Sequence, residues 1–366
     1  MNPLQSSVEP EKGAGLAMGL AYAGGEGVTV VFAEVITGGL EVNVRRRASQ
    51  RGFGDDVIYY VRRRVFEGDS VTLDSTLTEM KDNDVIRWRF GDTLIAEKNK
   101  RVDRFTVNDD VLGGRFRDRL KLDNQTGSLT ITNTTMKHAG DYDLQLNNKR
   151  AHIFLVVTVS VTEGDSVTIN SRLTEIKDVV LIRWRFGNAL IAEIDKRVDR
   201  FTVNNHVLGG RFRDRLKLDK QTESLTITNI TMKHAGEYQL EINYKTVAFY
   251  LAVIVSVTEG DSVTLDSGLT GIKDDYPIHW KFKNTFLAEI NKRVDRIAVY
   301  DDVLDGRFRD RLKLDNQTGS LTITNITMKH AGEYVLDTHT FNWPSYIHLI
   351  VYGELNISFT CFIYYS

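Results

Sequence analysis

Histidines recur in this sequence at a fixed spacing and are the first candidates for chemistry. His138, His234 and His330 each stand in the string Met-Lys-His-Ala-Gly. A histidine can bind a metal ion or change its charge near neutral pH. A metal site needs further ligands at short spacing, and no second histidine or cysteine stands beside any of the three. The sequence therefore predicts ordinary loop histidines, with no metal site and no cofactor.

Groups that could perform catalysis are not arranged for it. Carboxylates are numerous, but they lie in turn-like stretches and form no recognisable acid–base pair. Gly113-Gly114 reads as a turn, not as a phosphate-binding loop, and Asp305 replaces the first of these glycines in a later copy. No nucleophile motif is present. We therefore expect a protein that is not an enzyme.

A mixed-charge pattern is more informative. In the strand-like segment 86–90, Ile86, Trp88 and Phe90 share one face, and two arginines share the other. Neighbouring strands of the same predicted sheet add acidic positions beside these basic ones. The resulting set, called the charged face below, comprises Arg87, Arg89, Glu97, Asp143, Arg183, Arg185, Glu193, Glu241, His279, Lys281, Glu289 and Asp337. Such a face is either a solvated surface with cross-strand ion pairs or a recognition surface on which charge gives specificity.

The same landmarks return three times at a spacing of 96 residues, which indicates a tandem array of one unit. The string Gly-Arg-Phe-Arg-Asp-Arg-Leu-Lys-Leu-Asp begins unchanged at Gly114, Gly210 and Gly306. The predicted divisions are an irregular segment at 1–56, domains at 57–158, 159–254 and 255–352, and a short apolar tail at 353–366.

Composition limits the class of protein. A hydrophobic content of 42% with 26% charged residues is typical of globular domains, and a net charge of −2 argues against a nucleic-acid binder. The one cysteine, Cys361, lies outside the repeats, which favours a reducing compartment or a fold without disulfides. No apolar run approaches the roughly 18 residues of a transmembrane helix, and the N-terminal segment makes a poor signal peptide.

Each repeat reads as short strands separated by turns. Val71, Leu73 and Ser75 alternate with polar residues, as in a half-buried strand. The segments 116–122 and 129–132 predict two more strands, joined by a hairpin. No stretch has a sustained helical period. Eight to nine strands at this spacing predict an antiparallel β-sandwich.

The repeats resemble immunoglobulin variable-type domains. The resemblance covers residues 64–352 and rests on Glu-Gly-Asp-x-Val-Thr-Leu, a core tryptophan, Arg-Phe, Leu-x-Ile and Ala-Gly-x-Tyr. It implies an all-β fold of three tandem Greek-key sandwiches, with a tyrosine corner in each. The core residues that it implies are Trp88, Tyr142, Leu144, Trp184, Tyr238, Leu240, Trp280, Tyr334 and Leu336.

The disulfide of that family is missing. Its first half-cystine position holds Ser75, Ser171 and Ser267, and leucines hold the second. The bridge would contribute about 2–4 kcal/mol, so leucine and tryptophan packing must replace it. Domains of this kind resemble the membrane-distal domains of the SLAM-family lymphocyte adhesion receptors and their expanded fish relatives. The acid that usually pairs with Arg115 is replaced by His138, so Arg115 needs another partner, such as Asp118.

Two functions remain open. The resemblance implies an immune recognition or adhesion protein, extracellular or at the cell surface, which binds another immunoglobulin-like protein or itself through the charged face. The alternative is an intracellular structural array, because disulfide-free immunoglobulin repeats also build muscle filament proteins. Glycosylation triplets favour the first function, and they begin at Asn124, Asn133, Asn229, Asn316, Asn325 and Asn356.

Overall fold

The computed structural model describes residues 40–42, 59–75, 80–147, 149–170, 179–243, 245–269, 271–272, 277–338 and 344–353. The chain divides into two compact units. The first comprises residues 1–159, 172–179 and 240–250, and the second comprises residues 160–171, 180–239 and 251–366. The first repeat lies in the first unit and the third repeat in the second. The boundaries of the three domains stay a prediction.

Nine strands form the described part of the first repeat, preceded by β1 (Leu40–Val42), which pairs antiparallel with β2. They are β2 (Tyr59–Phe66), β3 (Val71–Leu73), β4 (Val85–Phe90), β5 (Thr93–Asn99), β6 (Arg104–Val107), β7 (Leu120–Leu122), β8 (Leu129–Ile131), β9 (Gly140–Leu146) and β10 (Lys149–Thr162). One-turn helical segments lie at Lys100–Val102, Val111–Gly114 and Met136–His138.

Two sheets enclose the core of this repeat. One has the antiparallel order β6–β5–β4–β9–β10, and β2 joins β10 in parallel, with Tyr59 opposite Ala151. The other has the order β3–β8–β7. Two extra strands, β5 and β6, distinguish the variable-type arrangement from the constant type. The repeat is therefore an immunoglobulin-like variable-type sandwich.

The strand pattern recurs in the other two repeats, where the end of one long strand also begins the next repeat. The second repeat continues with β11 (Val167–Asn170), β12 (Leu181–Phe186), β13 (Ala189–Asp195), β14 (Arg200–Val203), β15 (Leu216–Asp219), β16 (Ser224–Ile227), β17 (Gly236–Ile242) and β18 (Lys245–Thr258). The third has β19 (Val263–Leu265), β20 (Ile278–Phe282), β21 (Thr285–Asn291), β22 (Arg296–Val299), β23 (Leu312–Leu314), β24 (Leu321–Ile323), β25 (Gly332–Thr338) and β26 (Ser345–Tyr352). One-turn helical segments lie at Val207–Gly210, Met232–His234, Lys292–Val294, Val303–Gly306 and Met328–His330.

The nine core residues named from the sequence are all buried, with at most 4% of each exposed. Trp88 on β4 lies opposite Leu144 on β9, and Trp280 lies opposite Leu336 in the third repeat. A leucine therefore occupies the second half-cystine position, next to the tryptophan, on the strand that would carry the bridge. The all-β, disulfide-free sandwich is the fold that the sequence predicts.

Hydrogen bonds to one turn tie both sheets of the first repeat together. Ser75 Oγ, at the first half-cystine position, donates to the carbonyl oxygen of Thr126 at 2.6 Å. Trp88 Nε1 donates to the carbonyl oxygen of Gly127 at 2.8 Å. The third repeat has the same two bonds, from Ser267 to Thr318 (2.5 Å) and from Trp280 to Gly319 (2.7 Å). Ser171 lies outside the described residues.

The second repeat departs from this arrangement at one position. Glu223 stands where the other repeats have Gly127 and Gly319, and its φ of 54° is left-handed, which is costly for a residue with a Cβ. A Cβ on Gly127 would lie only 2.3 Å from Cδ1 of Ile86, so a turn that carries a side chain cannot sit as close to the core. In agreement, the buried Trp184 Nε1 has no hydrogen-bond partner among the described residues.

We expect Glu223→Gly to stabilise the protein. The change removes the left-handed strain, lets the turn approach, and allows Trp184 to donate to its carbonyl; together these effects contribute about 1–2 kcal/mol. The partly exposed ion pair between Glu223 and Lys196 is lost at little cost. Urea unfolding of the full chain measures the difference. The reverse change, Gly127→Glu, is the matched control and should destabilise the first repeat. Unchanged stability in both variants would contradict this explanation.

Candidate functional site

The charged face of the first repeat is organised by a cross-strand ion pair. Arg87 on β4 lies opposite Glu97 on β5, and Arg87 Nε donates to Glu97 Oε2 at 2.6 Å. Only 9% of the Glu97 side chain is exposed, against 35% for Arg87, because Glu97 lies on a central strand beneath the longer arginine. Arg89 donates to the carbonyl oxygen of Asp92 at 2.9 Å. The surface is thus more basic than the alternation of charges in the sequence suggests.

The second repeat repeats this pair and extends it. Arg183 Nε donates to Glu193 Oε2 at 2.8 Å, and Arg200 donates to Oε1 at 2.7 Å. The hydrogen bond from Arg183 lowers the pKa of Glu193, so this carboxylate is ionised at neutral pH. Beside it, two hydrogen bonds from Arg197 lower the pKa of Asp195 to about 2. Three guanidinium groups are therefore held in fixed positions by two covered carboxylates.

The third repeat presents an exposed aromatic side chain. Phe286 stands where the first two repeats have Leu94 and Leu190, and 45% of it is exposed. Lys281 Nζ lies 4.9 Å from the centre of its ring, and the ring of His279 packs edge-on at 5.3 Å. An open depression of about 550 Å³ lies here and is lined by His279, Asn284, Thr285, Phe286, Glu289, Tyr300 and Val303.

Carboxylates in this third surface are also engaged. Glu289 accepts a hydrogen bond from the Tyr300 hydroxyl at 3.0 Å and lies 3.4 Å from Arg296 and 3.8 Å from His279. Lys281 lies 3.4 Å from Asp337. The sequence predicted His279, Lys281, Glu289 and Asp337 for this surface, but it did not single out Phe286 or Tyr300. The only available signal for Phe286 was an aromatic residue at a position that is leucine in the other repeats.

The remaining members of the charged face lie on the expected strands. Asp143 on β9 is the register partner of Arg89, and its carboxylate lies beside the His152 imidazole. Arg185 donates to the carbonyl oxygen of Asn188 at 3.1 Å, as Arg89 does in its own hairpin. Glu241 on β17 is partly exposed. That these residues bind a partner stays a prediction.

The prediction that the recurring histidines are ordinary loop residues is wrong. His138 is 1% exposed and belongs to a one-turn helical segment. Its Nδ1 accepts the backbone N–H of Thr135 at 2.9 Å, and its Nε2–H donates to the carbonyl oxygen of Arg115 at 2.9 Å. His234 and His330 make the same pair of bonds in their own repeats. The imidazole therefore joins two backbone segments, and loop composition gave no sign of this.

Two further features surround this histidine. The Tyr142 hydroxyl donates to the carbonyl oxygen of His138 at 2.7 Å, which is the tyrosine corner, and the same bond occurs in the other two repeats. The Arg115 guanidinium lies over the Phe90 ring, 5.1 Å from its centre. The aromatic ring is thus one partner of this arginine, and the pairing of Arg115 with Asp118 stays a prediction.

The glycosylation triplets in the described residues are accessible. Their asparagines are exposed, and three of them adopt left-handed backbone conformations that asparagine tolerates. The exposed asparagines are Asn124, Asn133, Asn229, Asn316 and Asn325, and Asn356 lies outside the described residues.

No group of three or more histidine, cysteine, aspartate or glutamate side chains is placed to hold a metal ion within the described ranges. Likewise, no helix in the described part of the chain is long and apolar enough to cross a membrane.

Comparison with known proteins gives distant relatives. No family model matches the chain. Human contactin-4 is 26% identical over 245 residues, which is 61% of this chain and 22% of contactin-4, and rat contactin-4 is 26% identical over 257 residues with the same coverage. The chain thus spans about a fifth of the length of these relatives.

Similar solved structures include the first immunoglobulin-like domain of human CD48 antigen, 22% identical, with a TM-score of 0.24, covering 28% of this chain and 84% of that one. CD84 is 22% identical with a TM-score of 0.23, covering 27% of this chain and 96% of that one. Murine CEACAM1b is 20% identical with a TM-score of 0.21, covering 52% and 95%. The immunoglobulin-like assignment rests on the strand order and register described above.

We expect the stability of the protein to fall as the pH is lowered from 6.5 towards 4. Burial lowers the pKa of His138 and His234 to about 4, and it lowers that of His330 below the ordinary 6.5. The three histidines bind protons near pH 6.5 in the unfolded chain but not in the folded chain. The folded chain therefore has its full stability above pH 6.5 and loses stability as the pH falls below it. Between pH 7 and pH 5, protonation linked to His138 and to His234 should each lower the free energy of unfolding by about 2 kcal/mol.

Urea unfolding at pH 7 and pH 5 measures this loss. A variant with glutamine at all three histidine positions is the control, because glutamine does not titrate. It should be less stable at pH 7 but should show a much smaller pH dependence. An equal pH dependence in the variant would show that other groups are responsible.

Proposed function

We propose that this chain is a non-enzymatic recognition or adhesion protein, extracellular or at the cell surface, that binds another immunoglobulin-like protein through the charged face. One observation carries the proposal: the third repeat exposes Phe286 beside an open depression, between a lysine and a histidine. Aromatic and cationic side chains are the residues that dominate the energy of protein interfaces.

The ion pairs beneath the face support this proposal. Arg87, Arg183 and Arg200 are each fixed by a covered carboxylate. A side chain that is already ordered loses less conformational freedom when a partner binds, so these arginines can contribute more of their contact energy to affinity. A surface of mobile lysines would lack this advantage.

The charges also bear on the kind of partner. Glu97 and Glu193 are covered by their own arginines and cannot offer a negative surface to a second copy of the chain. The cationic groups remain accessible in part. We therefore favour a heterophilic partner with an acidic face over homophilic pairing, and charge complementarity would accelerate the encounter.

The resemblance to SLAM-family domains belongs to this proposal. It is supported by the repeated string Arg-Leu-Lys-Leu-Asp-x-Gln-Thr-x-Ser-Leu-Thr-Ile and by the serine and leucine at the half-cystine positions. Contactin-4, a relative found by sequence, shares 26% identity with this chain over more than the length of one repeat.

We expect the double change Phe286→Ala with Lys281→Glu to weaken partner binding. Purified immunoglobulin-like ectodomains are screened against the full chain by surface plasmon resonance, and sedimentation velocity measures self-association. Loss of the aromatic contact and reversal of one charge should weaken a binding pair at least about tenfold. Lys313→Glu is the control, because Lys313 is exposed on β23 in the other sheet.

Two results would contradict the proposal. One is a partner that binds the double variant as tightly as it binds the unchanged chain. The other is equal weakening by Lys313→Glu, which would indicate a general charge effect. Binding should also weaken as salt is raised, since the attraction between exposed charges is screened.

Glycans on the exposed asparagines would support the extracellular assignment. We expect protein secreted from animal cells to lose mass on enzymatic deglycosylation. Replacement of Asn124, Asn133, Asn229, Asn316 and Asn325 by glutamine should remove most of this loss. Secreted protein without any glycan would favour the intracellular structural alternative.

A further inference from the structure

Each repeat has an arginine at the same position of the ten-residue string, and this arginine has a different electrostatic environment in the second repeat. In the first repeat, Arg117 Nε donates to Asp110 Oδ1 at 2.8 Å, and in the third, Arg309 Nε donates to Asp302 Oδ1 at 2.7 Å. The equivalent arginine of the second repeat is Arg213. Its sequence neighbourhood is the same ten-residue string, so any difference must come from residues outside that string.

The second repeat lacks the carboxylates that accompany this arginine in the other two repeats. Asn205 and His206 stand where the first repeat has Asp109 and Asp110. Residues 109–119 contain three arginines and three aspartates, whereas residues 205–215 contain three arginines and one aspartate. With neutral histidine, the net charge is therefore 3 − 3 = 0 in the first repeat and 3 − 1 = +2 in the second. Among the described residues, no carboxylate forms an ion pair with Arg213.

Arg213 lies at a pocket with other cationic side chains. The pocket has a volume of about 320 Å³, and its lining includes Arg211, Arg213, Arg215, Thr231, Lys233 and Gly268. Arg213 itself is exposed and lies over Gly210, where a Cβ would be 3.2 Å from its Nη2. Because Gly210 has no side chain, the guanidinium can lie flat against the backbone at the edge of the pocket.

The neighbouring cations are partly engaged, and this fixes their positions. Arg211 Nη2 donates to the carbonyl oxygen of Gly268 at 2.6 Å, and its guanidinium lies over the Phe186 ring. Arg215 donates to the carbonyl oxygen of Asn229. Lys233 lies 3.2 Å from Asp266, with which it forms an ion pair. Carbonyl oxygens satisfy hydrogen bonds without neutralising charge, so the pocket stays electropositive.

We propose that this pocket binds a sulfate or phosphate group, either as the free anion or as an ester on a larger molecule. Guanidinium groups present paired N–H donors that match the oxygens of such groups, and charge-assisted bonds of this kind are strong. The site is restricted to the second repeat. In the other two repeats the equivalent arginines already form ion pairs with Asp110 and Asp302. It is separate from the charged face, since it lies at the turns before β15 and not on β12 or β13.

Isothermal titration of the full chain with sodium sulfate, in chloride buffer of equal ionic strength, tests the proposal. We expect saturable binding to one site. Arg213→Gln should weaken it by about tenfold, as expected for loss of a charge-assisted contact. Arg117→Gln is the matched control in the first repeat and should leave binding unchanged, because Arg117 is already paired.

A second variant removes binding without removing an arginine. Asn205→Asp with His206→Asp restores the carboxylates that the other two repeats contain, so the fold tolerates them, and Arg213 should then be neutralised. We expect binding to be lost in this variant. Undiminished binding, or no saturable binding to the unchanged chain, would overturn the proposal.

A sulfated disaccharide, titrated in the same way, separates the two sources of the anion. Tighter binding of the disaccharide than of sulfate, sensitive to the same two variants, identifies an ester as the preferred ligand. Equal affinity identifies the free anion. If both variants bind the disaccharide as tightly as the unchanged chain does, the anion binds elsewhere and the proposed site is contradicted.

Discussion

The turn between β7 and β8 supplies the bonds on which the first sandwich depends in place of a disulfide, and the third repeat has the same bonds. A serine from β3's end and the tryptophan from β4 donate to consecutive carbonyl oxygens, those of Thr126 and Gly127. Asp123 holds the turn itself, because its carboxylate accepts the N–H groups of Gln125 and Thr126, and these bonds lower its pKa. A disulfide would restrict the unfolded chain. These hydrogen bonds act only in the folded state, so their geometry has to be accurate. Gly127 contributes to this geometry because, without a side chain, it lets the turn lie close to the core.

Much of the fold could be predicted because strand alternation and repeat spacing report directly on burial. The position of Trp88 on an inward face and the absence of a disulfide both follow from residue types. Prediction was less accurate where the backbone bends. The predicted strand 116–122 is reduced to Leu120–Leu122, because Asp118 takes a left-handed φ of 59° and Phe116 turns inward to pack against Phe90. A period-two pattern does not reveal such a bend.

The candidate site was less predictable than the fold, for a physical reason. The outward direction of Arg87 follows from alternation, but the burial of Glu97 depends on an ion pair between two strands, which no single stretch of sequence contains. The burial of His138 likewise depends on a carbonyl group contributed by Arg115, 23 residues earlier in the chain. Phe286 could be read as one more core residue, since composition cannot distinguish an exposed phenylalanine from a buried one.

Near-identical repeats provide an internal comparison that a single domain cannot. Residues common to all three repeats satisfy the fold, so their presence says little about function. The differences between the repeats are more informative. Arg213 belongs to a string that is identical in every repeat, yet its environment is changed by Asn205 and His206, which precede that string. Phe286 similarly changes a surface whose underlying strands are unchanged. One scaffold therefore carries three chemically distinct surfaces, and each difference concerns side chains that the core does not require. Duplication followed by such local change would give one chain several binding sites without altering the packing that keeps each sandwich folded.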